Sequence, residues 1–107
     1  MKTEFVNLTS HTITEVTTGT IIPRSGIVAR IKAATNKVTK HNEIPVYQTI
    51  FGEIEGLPEP KENTIYIISA LALNAVPKNR TDVVSPGRVC KSEHGEIIGC
   101  IGFRKPD

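Results

Sequence analysis

Residues 64–87 read TIYIISALALNAVPKNRTDVVSPG, and the period changes inside this stretch. Thr64 to Ser69 is rich in β-branched and aromatic side chains without polar alternation, which marks a buried strand. From Ala70 to Val76, Ala and Leu take over and favour helix. Ser69 stands where an N-cap belongs, its hydroxyl placed to accept a backbone N–H of the first turn. Pro77 ends the segment. Two helical turns do not hold alone in water, so this helix has to pack on a sheet. Leu71 and Leu73 stand about 200° apart at 3.6 residues per turn, so one faces the core and the other faces away.

Outward from this point the chain is cut into short intervals by Gly and Pro, and the intervals are rich in Ile, Val and Thr. That pattern predicts many short strands. Residues 4–8, 12–17 and 20–22 read as strands, the last leading into a Pro-Arg-Ser-Gly turn at 23–26. In 27–34, Ile27, Ala29 and Ile31 share one face, while Val28 and Arg30 share the other. Residues 35–43, TNKVTKHNE, read as a polar loop. Residues 44–56 read as one strand bent or bulged at Gly52, and 57–63 as a proline-stiffened connector. Pro86-Gly87 reads as a turn. Residues 87–91 and 96–103 read as the arms of a hairpin with His94-Gly95 at its tip. The expected fold is mainly β (α+β): a small curved antiparallel sheet or open barrel with one short helix, as a single domain over 1–107.

At 107 residues the chain is long enough for a modest core. Thirteen Lys and Arg face eleven Asp and Glu, a net charge of +2. That is too little to draw DNA, RNA or an anionic membrane by charge alone, though local basic pockets stay open. The first ten residues, MKTEFVNLTS, carry no apolar signal core, and the run IYIISALALNAV is too short to span a bilayer. A cytoplasmic location is the default expectation. In the hairpin register, residue 90 pairs with 99 and residue 100 with 89. The thiols of Cys90 and Cys100 then point to opposite faces and stay free.

Residues 79–87, NRTDVVSPG, hold the candidate binding group. Arg80 offers a forked, permanent cation for phosphate or carboxylate. Thr81 offers a hydroxyl, and Asp82 a carboxylate for a ribose diol. The same residues also read as a plain turn, with Asp82 organising its own backbone and Arg80 in solvent. Arg24 in the 23–26 turn, Arg30 on the 27–34 strand, Arg88 after Pro86-Gly87 and Arg104 near the end are further cations that converge on a polyanion or are simply solvated. Phe51, Tyr47 and Tyr66 read either as base-stacking rings or as core. Glu53 and Glu55 alternate like the wet face of a strand. His11, His41 and His94 are far apart and share no metal-ligand spacing, so no metal, cofactor or catalytic set is expected.

The segments VNLTSHTI, IIPRSGIVARI, IPVYQTIFGEIEGLPEPKENTIYIIS, RTDVVSPG and GEIIGCIGF together resemble a family of small phage and prophage proteins. Its usual opening is Asn-Leu-Thr-Pro-His; here Ser10 stands in place of the proline. The pattern is similar to phage anti-Thoeris sponges, anti-defence proteins that sequester a cyclic ADP-ribose isomer without cleaving it. The resemblance implies a nucleotide-binding homo-oligomer in the cytoplasm and not an enzyme. Its site would draw on Arg80, Thr81, Asp82, Arg24, Arg30 and Phe51. From a different class comes a phage interaction protein that inhibits a host enzyme by contact or assembles with phage proteins.

Overall fold

The structure, a computed structural model, describes residues 2–32 and 34–106, without the side chains of Ala34 and Phe51. Ten strands and one helix follow in chain order: β1 (Glu4–Asn7), β2 (Ile13–Glu15), β3 (Thr20–Ile22), β4 (Arg30–Ile31), β5 (Ala34–His41), β6 (Ile44–Phe51), β7 (Ile54–Glu55), β8 (Thr64–Ile67), α1 (Ala70–Leu73), β9 (Val83–Lys91) and β10 (Ile97–Arg104). Six strands form one sheet in the order β1-β8-β9-β10-β2-β3. Two further sheets have two strands each, β4-β7 and β5-β6. The mainly-β expectation with one short helix holds, and the large sheet is curved and nearly closed.

The strand directions are mixed. β1 with β8, β8 with β9, and β10 with β2 are parallel. The reason lies in the stretch that opens the sequence reading. Ser69 caps α1, its Oγ accepting from Ala72 N at 3.2 Å. The helix turns the chain back, so β9 starts at the same end as β8 and runs alongside it, as parallel strands joined by a crossover must. β8 is thus flanked on both sides, which accounts for its apolar run. Tyr66 and Ile68 face a cluster with Leu8, Ala72, Leu73 and Val83. Ile67 faces the other cluster, with Ile13, Ile22, Val84 and Cys100. Leu73 is buried and Leu71 is 62% exposed, the division their angular separation requires.

Two buried polar side chains tie the curved sheet: Asn7 joins its two edges, and Glu15 reinforces the short seam between neighbouring β10 and β2. Asn7, at the end of β1, donates through Nδ2 to Ile22 O at 3.0 Å and His11 O at 2.7 Å. Its carbonyl accepts from Ser25 N at 2.9 Å. It thereby joins edge strand β1 to the end of β3, the other edge. Glu15 on β2 accepts from Gly102 N at 2.8 Å, Thr18 N at 3.0 Å and the hydroxyls of Thr17 and Thr18. The Thr17 hydroxyl first, and then the Gly102 N–H, hold its carboxyl down at about 2.

Several local readings change. Residues 44–56 are not one bent strand: β6 ends at Phe51, and β7 pairs with β4 in a separate sheet. The helix expected over 70–76 is a single turn that ends at Leu73, with Asn74 as its C-cap. Residues 34–41 are not a loop but strand β5, paired along its length with β6. Its polarity reflects exposure on both faces, and Asn42 and Glu43 take φ of 51° and 66°, a two-residue I′ turn. Pro86-Gly87 is not a turn but the middle of β9, opposite Phe103. β9 pairs with β8 only at Val83 and Val84, so Pro86 faces a free edge where its missing N–H costs nothing. Gly87 leaves room for β10, since a Cβ there would run into the Ile101 carbonyl. The hairpin tip is also longer than two residues: Ser92 N donates to Glu96 O at 2.8 Å. An irregularity between Ile97 and Gly99 then restores the expected pairs, Cys90 with Gly99 and Val89 with Cys100. Both cysteines are free.

Candidate functional site: a cation-lined cleft

After α1 the chain turns at Pro77, where Arg80 N donates to Pro77 O at 3.0 Å. This brings residues 78–81 beside the far end of the β9–β10 hairpin, where Arg104 pairs with Ser85. Between the helix, this loop and the tail at 104–106 lies a cleft of about 910 Å³. Its aliphatic wall includes Leu71 and Val76, and its polar wall carries Lys78, Arg80, Arg104 and Lys105. Thr81 lines it as well, and among the described residues no carboxylate does. The size suits a nucleotide-scale ligand.

Arg80 is the best-held of the four cations. Its Nε and Nη2 donate to the two Asp82 carboxylate oxygens at 2.9 and 3.1 Å, and Nη2 also donates to Pro58 O at 2.9 Å. Both side chains are about one-seventh exposed. The Asp82 hydrogen bond raises the Arg80 pKa, and the Arg80 hydrogen bond holds Asp82 below the ordinary carboxylate range. Among the hydrogen bonds of the described residues, Nη1 makes none. The same pair pins the 57–63 connector, which Tyr66 also grips by donating from its hydroxyl to Glu59 O at 3.1 Å. Arg80 is therefore both a structural pin and a cleft cation, and Asp82 orients it from behind the cleft.

The remaining sequence candidates lie apart from the cleft lining. Arg24 is exposed and bridges to Asn7 at the sheet closure. Arg30 is exposed on β4, opposite Glu55. Phe51 ends β6, and its side chain lies outside the described structure. Lys78 and Lys105 were not singled out from sequence, whereas Arg104 stood among the arginines read there as able to converge on a polyanion, and a local signal supports its place. The pairing of Cys90 with Gly99, extended along the hairpin, sets Arg104 opposite Ser85 and hence near the loop of Arg80.

A second, smaller hollow of about 260 Å³ lies along β2 and the β9–β10 hairpin, lined by Ile13, Val89, Ile97, Ile98 and Cys100. Burial pushes the Cys100 thiol up, away from reactivity. Among the described residues, no three His, Cys, Asp or Glu side chains group as metal ligands. No helix there is long and apolar enough to cross a membrane.

Fold and cleft together define a class: a small, mainly-β chain with a nearly closed mixed sheet and a cationic, half-aliphatic cleft at one end. Comparison with family models, with curated proteins and with solved structures finds no match for this chain.

Proposed function

We propose that this chain binds a small anionic metabolite of nucleotide type in the cleft beside α1 and retains it without cleavage. The observation that carries the reading is the lining: Lys78, Arg80, Arg104 and Lys105 gather on one cleft, and none of the described lining residues is a carboxylate. Asp82 already matches the charge of Arg80, so a diphosphate would draw its charge pairing chiefly from Lys78, Arg104 and Lys105, with Arg80 adding a fixed donor. Leu71, mostly exposed, offers an apolar platform for a base or ribose face. The sequence resemblance narrows the ligand to a cyclic ADP-ribose isomer and the role to a phage anti-defence sponge that blocks Thoeris signalling. On that reading the protein works in the host cytoplasm as a homo-oligomer.

The test is co-expression with an active signalling TIR enzyme, purification, heat denaturation and mass spectrometry of what is released. An intact cyclic ADP-ribose isomer is expected. Its affinity should fall roughly tenfold to a hundredfold for Arg104→Ala, the loss of one charge-assisted contact. Arg104 is the better probe than Arg80, because it is exposed and its removal leaves the fold alone. No retained nucleotide despite abundant signal overturns the reading, and a cleaved product overturns the non-enzymatic part of it.

One observation favours the alternative, a phage interaction protein that contacts a host enzyme or other phage proteins. The β5–β6 hairpin exposes Val38, Ile44, Val46, Tyr47 and Ile50, more apolar surface than a hairpin needs for itself.

A further inference from the structure

β5 and β6 form a two-stranded sheet that no other strand among the described residues joins. Every residue from 35 to 50 is exposed. The radius of gyration, 16.4 Å, exceeds the roughly 13 Å of a compact chain this long. A lone hairpin is marginal in water, and this one carries apolar side chains on both faces. The register puts Val38 and Tyr47 on one face, and Ile44, Val46 and Ile50 on the other.

Its two edges are not equivalent. In a two-residue hairpin the pair flanking the turn, here His41 and Ile44, is the hydrogen-bonded one, and pairs alternate from there. Lys40–Pro45 is then a non-hydrogen-bonded pair, as a proline requires. The N–H groups that point out from β5 belong to Asn36, Val38 and Lys40. On β6 they belong to Tyr47 and Thr49, and Pro45 leaves a gap. Proline blunts the β6 edge in the manner of protected edges. β5 has no Pro, no Gly and no irregularity in its register.

We propose that β5 pairs antiparallel with β5 of a second copy of this chain, about a two-fold axis at Val38, making one four-stranded sheet from two hairpins. Only registers that bring outward-pointing residues face to face complete the ladder. An axis at Lys37 sets Lys37 against its own copy, and an axis at Thr39 sets Lys37 against His41. With the axis at Val38, Lys37 meets Thr39, Lys40 meets Asn36 and Thr35 meets His41, so no like charges oppose. The same register aligns Tyr47, Val38 and their copies in one apolar row across all four strands. The strand is self-complementary, which selects a second copy over an unrelated strand and gives the isologous contact of a two-fold dimer.

This pairing does not depend on the cleft or its ligand, so it is tested without nucleotide. Light scattering on the purified full chain should give twice the 11.7 kDa chain mass. Val38→Pro removes the outward N–H on the axis while breaking no bond within its own hairpin, and should halve that mass. Residues paired on the axis stand about 5.5 Å apart at Cα, within disulfide range. Val38→Cys should therefore cross-link covalently under mild oxidation, whereas Lys37→Cys, whose copy is displaced, should not. A monomeric wild-type mass overturns the proposal. So does an unchanged dimer mass in Val38→Pro, or the absence of a Val38→Cys cross-link.

Discussion

The six-stranded sheet and the β5–β6 arm are built from the same residue types and treat them oppositely. In the sheet, Ile67, Ile68 and Val83 have no exposed surface, and even polar Asn7 and Glu15 are buried. In the arm, Ile44, Tyr47 and Ile50 are more than half exposed. Both regions are β-structure because Ile, Val and Thr fit a pleated backbone. They differ in what covers them. β8 has a strand on either side and a helix over one face, whereas the arm has only its own two strands. A strand is thus specified locally, but its contribution to stability depends on partners far away in sequence.

The largest expected effect tests that division directly. Ile67→Ala should cost about 2–5 kcal/mol of unfolding free energy, through lost burial and the cavity left behind. Ile44→Ala should stay within about 0.5 kcal/mol, as an exposed site does. Denaturant melts of the two variants measure both. Equal losses would mean that the arm and the sheet unfold as one unit.

A smaller effect, confined to acid, concerns the seam between β10 and β2. Glu15 has its folded pKa depressed to about 2 against an ordinary 4.5. Its contribution is therefore complete above pH 4.5 and is lost as pH falls from there towards 2. Thermal melts should show the midpoint dropping across this window in the native chain, and dropping less in Glu15→Gln. Hydrogen exchange in the arm should not follow that drop, since Glu15 ties β2 to Gly102 and touches nothing in β5 or β6. A parallel loss of arm protection would break the comparison.

The smallest effect lies in the arm itself. Glu43 holds a φ of 66°, a region glycine enters freely and a glutamate does not. Glu43→Gly should stabilise the turn by about 1 kcal/mol. Arm amides should then exchange roughly fivefold more slowly, while the global melting temperature stays put. A rise in global stability instead would show the arm coupled to the core.

The chain by itself determined what nearest neighbours decide. The strand at 64–67, the Ser69 cap, and the opposed Leu71 and Leu73 all follow from side chains a few residues apart; the pairing of Cys90 with Gly99 was read correctly, but it arises from a longer tip offset by a register irregularity. The polar strand β5 was hidden for a local reason too. With both faces exposed it shows no burial pattern, and its turn, Asn42-Glu43, lacks the glycine that usually marks a I′ hairpin. The sense of β8 against β9 was decided by tertiary structure, because a helix of one turn sets direction only once packed. So was the use of Asn7 and Glu15 as ties across the sheet, since their partners, Ile22 and Gly102, lie 15 and 87 residues away. The cleft belongs with them. Arg80 and Thr81 stood out in the sequence as one local group, but Lys78, Arg104 and Lys105 join them in the cleft lining only where the helix turn and the end of a hairpin meet in space. Local periodicity records which way a side chain points, and only the folded chain determines what stands opposite.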